Sequence, residues 1–127
     1  MVNLGGATEN DRKKIVITKD SKAFFHNNVD YCVGTGRMGL ALTEEYQEEL
    51  RLVQKEIGFK HIRGHGLFCD DMAIFQTYEE DGKVRVEYNY TYLDRVMDAY
   101  KKVGLRPFLE LGFMPKKLAS GSQTKIG

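Results

Sequence analysis

Three residues that can bind metal ions, His61, His65 and Cys69, follow one another at four-residue intervals, and two aspartates come directly after them. On a helix this spacing would bring the three side chains to one face and form a metal site. Glycines on both sides of His65 disfavour a helix, and the segment is instead typical of a tight turn and a strand. Side chains at this spacing on a strand do not converge, so we expect no metal ion and no other cofactor.

His65 is the residue whose position best indicates ligand binding. It lies just beyond the apolar part of a predicted strand. Parallel α/β folds bind their ligands at the carboxyl ends of their strands. The alternative is a histidine that is buried or hydrogen-bonded for structural reasons, which is the commoner outcome.

The stretch VGTGRMGLAL contains the spacing Gly-x-Gly-x-x-Gly, which is found in dinucleotide-binding proteins. That function requires a helix that opens at the last glycine and an acidic residue about twenty positions later. Here three residues separate Gly39 from the predicted helix start at Thr43, and no acidic residue ends the following strand. We therefore expect the glycines to let a loop bend after a strand. The alternative is a small α/β binding module that uses the loop Gly34–Gly39 to hold a phosphate-bearing ligand.

Residues of the second and third predicted strands supply the remaining candidates. Alternation places Arg63 and Glu110 on the same face of neighbouring strands, so we expect them to form an ion pair. A single buried charge is costly, and pairing would account for both residues. We favour this structural role over a catalytic acid at Glu110. Phe113, after the third strand, either lines a small-molecule site or closes the end of the sheet.

The composition restricts the classes of function. The chain has 127 residues, enough for one modest domain, and a formal net charge of +1. This balance does not provide the field that attracts nucleic acids or anionic membranes, and no apolar segment reaches the roughly 18 residues of a membrane span. We expect a soluble, cytoplasmic protein with two reduced cysteines that binds neither nucleic acid nor membrane. The composition is compatible with a monomer and with a homo-oligomer.

The periodicity of apolar residues predicts the elements that position these candidates. The predicted strands are 13–18, 29–34 and parts of 57–66 and 103–112, and the predicted helices span about 43–57 and 91–103. Thr43 suits the N-cap of the first helix and Gly58 its C-terminal end. Thr91 and Asp94 suit the capping of the second helix. Alternating runs around Asp81–Gly82 predict a β-hairpin.

The order of these elements predicts successive βα units and hence a parallel sheet. Three parallel strands are too few for a complete fold of this kind. A parallel sheet is normally covered on both faces, and this segment supplies about two helices. The third strand, RPFLELGF, would be left as an apolar open edge. We therefore expect further elements after the last strand.

Four segments resemble the start of glycoside hydrolase family 39, in particular its bacterial β-xylosidases: YCVGTGRMGLAL, KHIRGHGLFCDD, YNYTYLDRVMDAY and GLRPFLELGFMPKKLASGSQT. They follow the family's order with compatible spacing. The resemblance implies an α/β fold made of the first three βα units of an eight-stranded (β/α) barrel, incomplete, with a β-hairpin insertion after strand two. It divides the chain into an N-terminal extension with a short strand, residues 1–28, and a partial barrel catalytic domain, residues 29–127.

The resemblance also implies a function, the retaining hydrolysis of xylosides, in which two carboxyl groups act as acid/base and nucleophile. The family carries these groups at the ends of strands four and seven. We therefore assign no catalytic residue, expect both to lie downstream of Gly127, and expect the chain to be inactive alone. The implied ligand is a carbohydrate, either a xylo-oligosaccharide or an aryl xyloside.

Individual residues match the family's binding positions. The substrate-binding positions that the resemblance implies are Gly36, Arg37, His65 and Phe113. Arg63 resembles an arginine that supports the catalytic carboxylates from below, and Glu110 is its expected structural partner.

The chain departs from the family in two places. KIG follows GSQT where the family continues into an aromatic stretch, and the tryptophan that often precedes CVGTG is absent. The first departure favours an interrupted or shortened reading frame. A product that hardly folds, because three strands leave an edge bare, is the remaining alternative.

Overall fold

The computed structural model describes residues 15, 16, 18–20 and 26–122. Within them the chain adopts a mixed α/β fold. Its helices and strands are β1 (Cys32–Arg37), α1 (Glu44–Glu56), β2 (His61–His65), β3 (Phe75–Glu80), β4 (Lys83–Tyr88), α2 (Thr91–Lys102) and β5 (Arg106–Leu109). Of the strand predicted at 13–18, positions 15, 16 and 18 are not part of a strand, and the others lie outside the described residues.

Two separate sheets are present in the described part of the chain. Strands β1, β2 and β5 form a parallel sheet in the order β1-β2-β5, as predicted. Strands β3 and β4 form the predicted antiparallel hairpin. Asp81 and Gly82 connect them with φ angles of 52° and 70°. Two successive positive φ angles are what a two-residue hairpin turn requires, and the sequence Asp-Gly supplies them at low cost.

The first strand begins at Cys32, later than the sequence predicts, and it continues through both of the first two glycines. Its pairing with β2 shifts register between Gly34 and Gly36, so Thr35 forms a β-bulge. Thr35 is buried, and a Cβ added to Gly64 would lie 3.0 Å from its Cγ2 atom. The predicted strand bounds are therefore wrong. The first two glycines lie inside a strand because the bulge packs Thr35 against Gly64.

The two helices lie where their periodicity predicts, but their caps differ. Thr43 occupies the N-cap position of α1, yet its hydroxyl donates to the carbonyl oxygen of Leu40 at 2.8 Å instead of capping the helix. The predicted capping pair of α2 is wrong, because Tyr90 is the N-cap and the side chain of Asn89 accepts from the amide of Thr91 at 2.9 Å.

None of the helices in the described part of the chain has the length and apolar character of a membrane span.

The core lies between the parallel sheet and the two helices. Ile62 of β2, Leu50 of α1 and Val96 and Tyr100 of α2 are buried in it. Ile57, the last residue of the first helix as predicted, is exposed, because α1 ends before it. Burial raises the pKa of the Tyr100 hydroxyl to about 12, with a smaller contribution from Tyr46, so this hydroxyl stays protonated in the core.

The opposite face of the parallel sheet is open within the described part of the chain. Buried Ile62 and Gly64 alternate along β2 with His61, Arg63 and His65, as predicted. All four residues of β5 are exposed. Because β5 is the last strand in the sheet order and exposes Phe108 and Leu109, the apolar open edge that the sequence predicts is present.

Candidate functional site

The carboxyl ends of the parallel strands bring predicted binding residues together. Arg37, the last residue of β1, pairs with His65, the last residue of β2. Phe113 follows the end of β5, and its ring stacks on that of His65 with centroids 5.1 Å apart and 24° between the ring planes. Neighbouring strand ends thus form one cluster, because parallel strands end at the same edge of a sheet.

Phe113 is held in an unfavourable backbone conformation. Its φ angle is 67°, in the left-handed region that costs a bulky residue about 1–2 kcal/mol. The adjoining loop is fixed, because the carbonyl oxygen of Gly112 accepts from the amide of Phe68 at 3.4 Å, and the Asp70 carboxylate accepts from the amide of Lys116 at 3.0 Å. Strain of this kind is concentrated at ligand sites, and it accompanies the stacking of this ring on His65.

His65 is partly exposed, and one of its ring nitrogens is buried. Its Nδ1 atom is buried and has no hydrogen-bond partner among the described residues, while the residue as a whole is partly exposed. Gly66 follows with a φ angle of 76°, which turns the chain sharply after β2. The ring therefore lies at the end of β2, and its Nδ1 atom forms no hydrogen bond with the described protein groups.

Cys69 lies near this turn but is not arranged as a nucleophile. Burial raises the pKa of its thiol, the carboxylates of Asp71 and Asp70 raise it further, and the guanidinium of Arg37 partly opposes them. The thiol is therefore protonated at neutral pH, and a protonated thiol is a poor nucleophile and metal ligand.

Gly36 and Arg37 lie at the rim of the cluster. Gly36 has a φ angle of 74° at the bulge and faces Gly64 of β2. The guanidinium of Arg37 lies 3.8 Å from the carboxylate of Asp71, and both side chains are about half exposed. An exposed pair at this distance is weak, so the donors of Arg37 stay accessible to a ligand.

Arg63 and Glu110 form the ion pair that the alternation predicts. The Arg63 guanidinium lies 2.8 Å from the Glu110 carboxylate. The expectation that both charges are buried is wrong, because the side chain of Arg63 is 59% exposed on the open face of the sheet. The pair lies below the His65 cluster, on the same face of β2.

The glycine motif does not form a phosphate-binding loop. Two of its glycines lie in or beside the β1 bulge, and the last one lies within a short 3-10 turn, Met38–Leu42, that precedes α1. Helix α1 begins with Glu44 and Glu45, whose charges occupy the positive end of the helix dipole. A phosphate would meet these carboxylates instead of free amide groups.

The spacing of the two histidines does not produce a metal cluster. His61 and His65 lie at opposite ends of β2, and the Nδ1 atom of His61 lies 3.1 Å from the carbonyl oxygen of Tyr31. Among residues 15, 16, 18–20 and 26–122, no three potential ligands are grouped closely enough to hold a metal ion.

An apolar groove next to Phe113 was not predicted. It has a volume of about 570 Å³ and lies between the hairpin and the chain that follows β5. Its lining residues are aromatic or aliphatic apart from one glycine: Phe68, Ile74, Phe75, Tyr88, Tyr90, Leu111, Gly112, Phe113, Met114, Pro115 and Leu118. The available signal was the aromatic residues at both ends of the predicted hairpin. Their convergence with residues 111–118 depends on tertiary packing, which periodicity does not report.

A protein-family model matches most of the chain. The family model described as Glycosyl hydrolases family 39 matches residues 13–126. A β-xylosidase of Geobacillus stearothermophilus is 51% identical over 112 residues, which cover 88% of this chain and 22% of that protein. A β-xylosidase of Caldicellulosiruptor saccharolyticus is 37% identical over 94 residues, which cover 73% of this chain and 18% of that protein.

Solved structures agree with the sequence matches. A GH39 β-xylosidase from Caulobacter crescentus superposes with a TM-score of 0.66 at 34% identity, over 75% of this chain and 20% of that one. The GH39 enzyme from Xanthomonas axonopodis pv. citri gives a TM-score of 0.65 at 36% identity, over 75% of this chain and 18% of that one. The chain thus spans about a fifth of the length of these relatives.

Proposed function

Because the chain belongs to glycosyl hydrolases family 39, we propose that it contributes the first part of the xyloside-binding site of a retaining β-xylosidase. In this proposal β1, β2 and β5 are the first three strands of a (β/α)8 barrel, and the hairpin is an insertion after the second strand. Residues 1–28 form an extension before the barrel domain. The observation that carries the proposal is the stack of His65 on Phe113 at the carboxyl ends of the strands, where barrels bind their substrates.

The cluster suits the chemistry of a pyranose. A sugar ring has apolar C–H faces and a polar rim of hydroxyl groups. The Phe113 ring provides an apolar surface, while the imidazole of His65 and the exposed guanidinium of Arg37 provide hydrogen-bonding groups.

We also assign the protein to the cytoplasm, because both cysteines are free, as in reducing compartments.

Hydrolysis with retention requires two carboxyl groups about 5 Å apart. Glu110 is the acidic residue on the face of the sheet below His65, and its carboxylate lies 2.8 Å from a guanidinium. We therefore assign Glu110 to the support of the site. In this proposal the residues of this chain bind a xyloside and, by themselves, do not hydrolyse it.

The proposal is tested on the purified 127-residue chain. We expect binding of methyl β-xyloside, measured by NMR titration, to be weakened by His65→Ala and unchanged by His61→Ala, which alters the same residue type at the other end of β2. We also expect no release of nitrophenol from 4-nitrophenyl β-xyloside. Absent binding, or equal effects of the two histidine variants, contradicts the proposed site. Nitrophenol release that Glu110→Gln abolishes contradicts the role assigned to Glu110.

A further inference from the structure

The groove beside Phe113 has two walls that come from distant parts of the chain. The β3–β4 hairpin forms one wall, and residues 111–118 form the other. A two-stranded hairpin is marginally stable alone and takes its position from what it packs against. Every residue of β4 is exposed, so a small number of contacts fix the hairpin relative to the second wall.

Lys117 joins these two walls. Its ammonium donates to the hydroxyl of Thr77 at 2.7 Å and to the carbonyl oxygen of Thr77 at 3.0 Å. Hydrogen bonds from a charged donor are stronger than neutral ones, and Thr77 lies on β3, an edge strand of the hairpin. An edge strand carries backbone groups that need a partner outside the sheet, and Lys117 supplies one.

The base from which Lys117 extends is itself fixed. The amide of Lys116 donates to the Asp70 carboxylate at 3.0 Å, which ties the turn Lys116–Leu118 to the loop after β2. At the base of the hairpin, the backbone amide of Asn89 donates to the carbonyl oxygen of Ile74 at 2.9 Å and closes the hairpin. Lys117 therefore connects an anchored turn to the middle of the hairpin wall.

The lining of the groove indicates what it can accept. No charged side chain is among its lining residues, and Phe75 and Tyr88 form an edge-to-face pair with centroids 6.0 Å apart. Phe113 belongs to both the groove and the stack with His65. A sugar at His65 would therefore lie beside the groove, where a flat, apolar ring attached to the sugar would contact the aromatic lining.

We propose that Lys117 is a positioning residue that holds the hairpin at the separation at which the groove accepts an aromatic ring attached to the sugar. This inference rests on the proposed function, because it places the sugar at His65. Lys117 does not touch the ligand. It acts through Thr77 on the position of the aromatic wall.

The test compares three variants of the full chain: Lys117→Met, Lys117→Arg and the neighbouring control Lys116→Met. Affinities for 4-nitrophenyl and methyl β-xyloside are measured by NMR titration, and hydrogen exchange is followed at the amides of β3 and β4. We expect Lys117→Met to reduce the preference for the aryl xyloside by about three- to tenfold, as for the loss of one net hydrogen bond, and to speed exchange in the hairpin. Methyl xyloside affinity stays unchanged.

The arginine variant and the control separate positioning from a general structural effect. We expect Lys117→Arg to retain both the aryl preference and the slow exchange, because a guanidinium can donate to the same two acceptors. We expect Lys116→Met to change neither property. An unchanged preference in Lys117→Met, or equal losses for both xylosides, overturns the inference. If neither xyloside binds the unaltered chain, the proposed function fails and the groove assignment with it, while hydrogen exchange still decides whether Lys117 holds the hairpin.

Discussion

Phe113 connects two features of the molecule through one side chain. Its ring stacks on His65 at the ends of the parallel strands and also lines the apolar groove beside the hairpin. The left-handed backbone at this position is unfavourable for a phenylalanine, and the hydrogen bond that its neighbour Gly112 accepts from Phe68 helps to maintain it. At the scale of single residues, backbone strain therefore coincides with the proposed sugar-binding cluster.

Replacing Phe113 by leucine tests the contribution of the aromatic ring. Leucine keeps an apolar side chain and the same backbone strain but removes the stack on His65. We expect methyl β-xyloside to bind about two- to tenfold more weakly, measured by NMR titration. The control is Tyr78→Leu, which removes an exposed aromatic ring of the hairpin that does not line the groove. Equal affinities of the two variants for the xyloside would remove Phe113 from the site.

Residue positions were predictable where they follow from strand alternation. Arg63 and Glu110 meet because side chains two apart share a face and the two strands are neighbours in the sheet. Their exposure was not predictable, because it depends on what lies over the open face of the sheet. The contact between Lys117 and Thr77 was also missed, since no local pattern relates residues that are 40 positions apart.

Strand β1 shows how one packing contact determines the form of an element. The bulge at Thr35 buries that side chain against Gly64 of β2, and Met38 packs over the same glycine. The bulge lies just before Arg37, and bulges change the direction of the strand that carries them. The close fit at Gly64 therefore helps to set where the end of β1 meets His65.

An alanine at position 64 tests this fit. The added Cβ would lie 2.7 Å from Cγ of Met38 and 3.0 Å from Cγ2 of Thr35, and Met38 is buried. We expect Gly64→Ala to lower the free energy of unfolding by about 1–3 kcal/mol, measured by urea denaturation. Gly34→Ala is the control, because nothing lies within 4 Å of a Cβ at that position. A similar loss in both variants would show that the bulge, as described, does not depend on Gly64.

The elements with strong local signals were the ones that the sequence predicted well. Asp81–Gly82 fixes the hairpin turn, and Gly58, with a φ angle of 74°, follows the end of α1 as expected. The predictions of the end of β1 and of the cap of α2 were wrong, because each depends on a competing contact, Thr35 with Gly64 and Asn89 with Thr91. Tertiary packing overrode local preference at β1, whereas the cap of α2 is a local contact between residues two positions apart.

At the scale of the whole molecule, the described residues form one well-packed layer and one open face. Helices α1 and α2 cover one side of the parallel sheet, while Phe108 is 54% exposed and Leu111 is 75% exposed. Parallel sheets are normally buried on both faces. The proposed barrel accounts for this asymmetry, because in that architecture the open face becomes the inner wall, with Arg63 and Glu110 beneath the substrate.

In the proposed function, the carboxyl ends of β1, β2 and β5 form a sugar-binding surface. The most direct measurement is a chemical-shift map of the ¹⁵N-labelled chain titrated with methyl β-xyloside. We predict that the largest changes fall on the amides of Arg37, His65 and Phe113, and that Tyr31 and His61 at the opposite end of the sheet stay unchanged. Changes centred on Tyr31 and His61, or a spectrum that the xyloside leaves unaltered, would contradict this account.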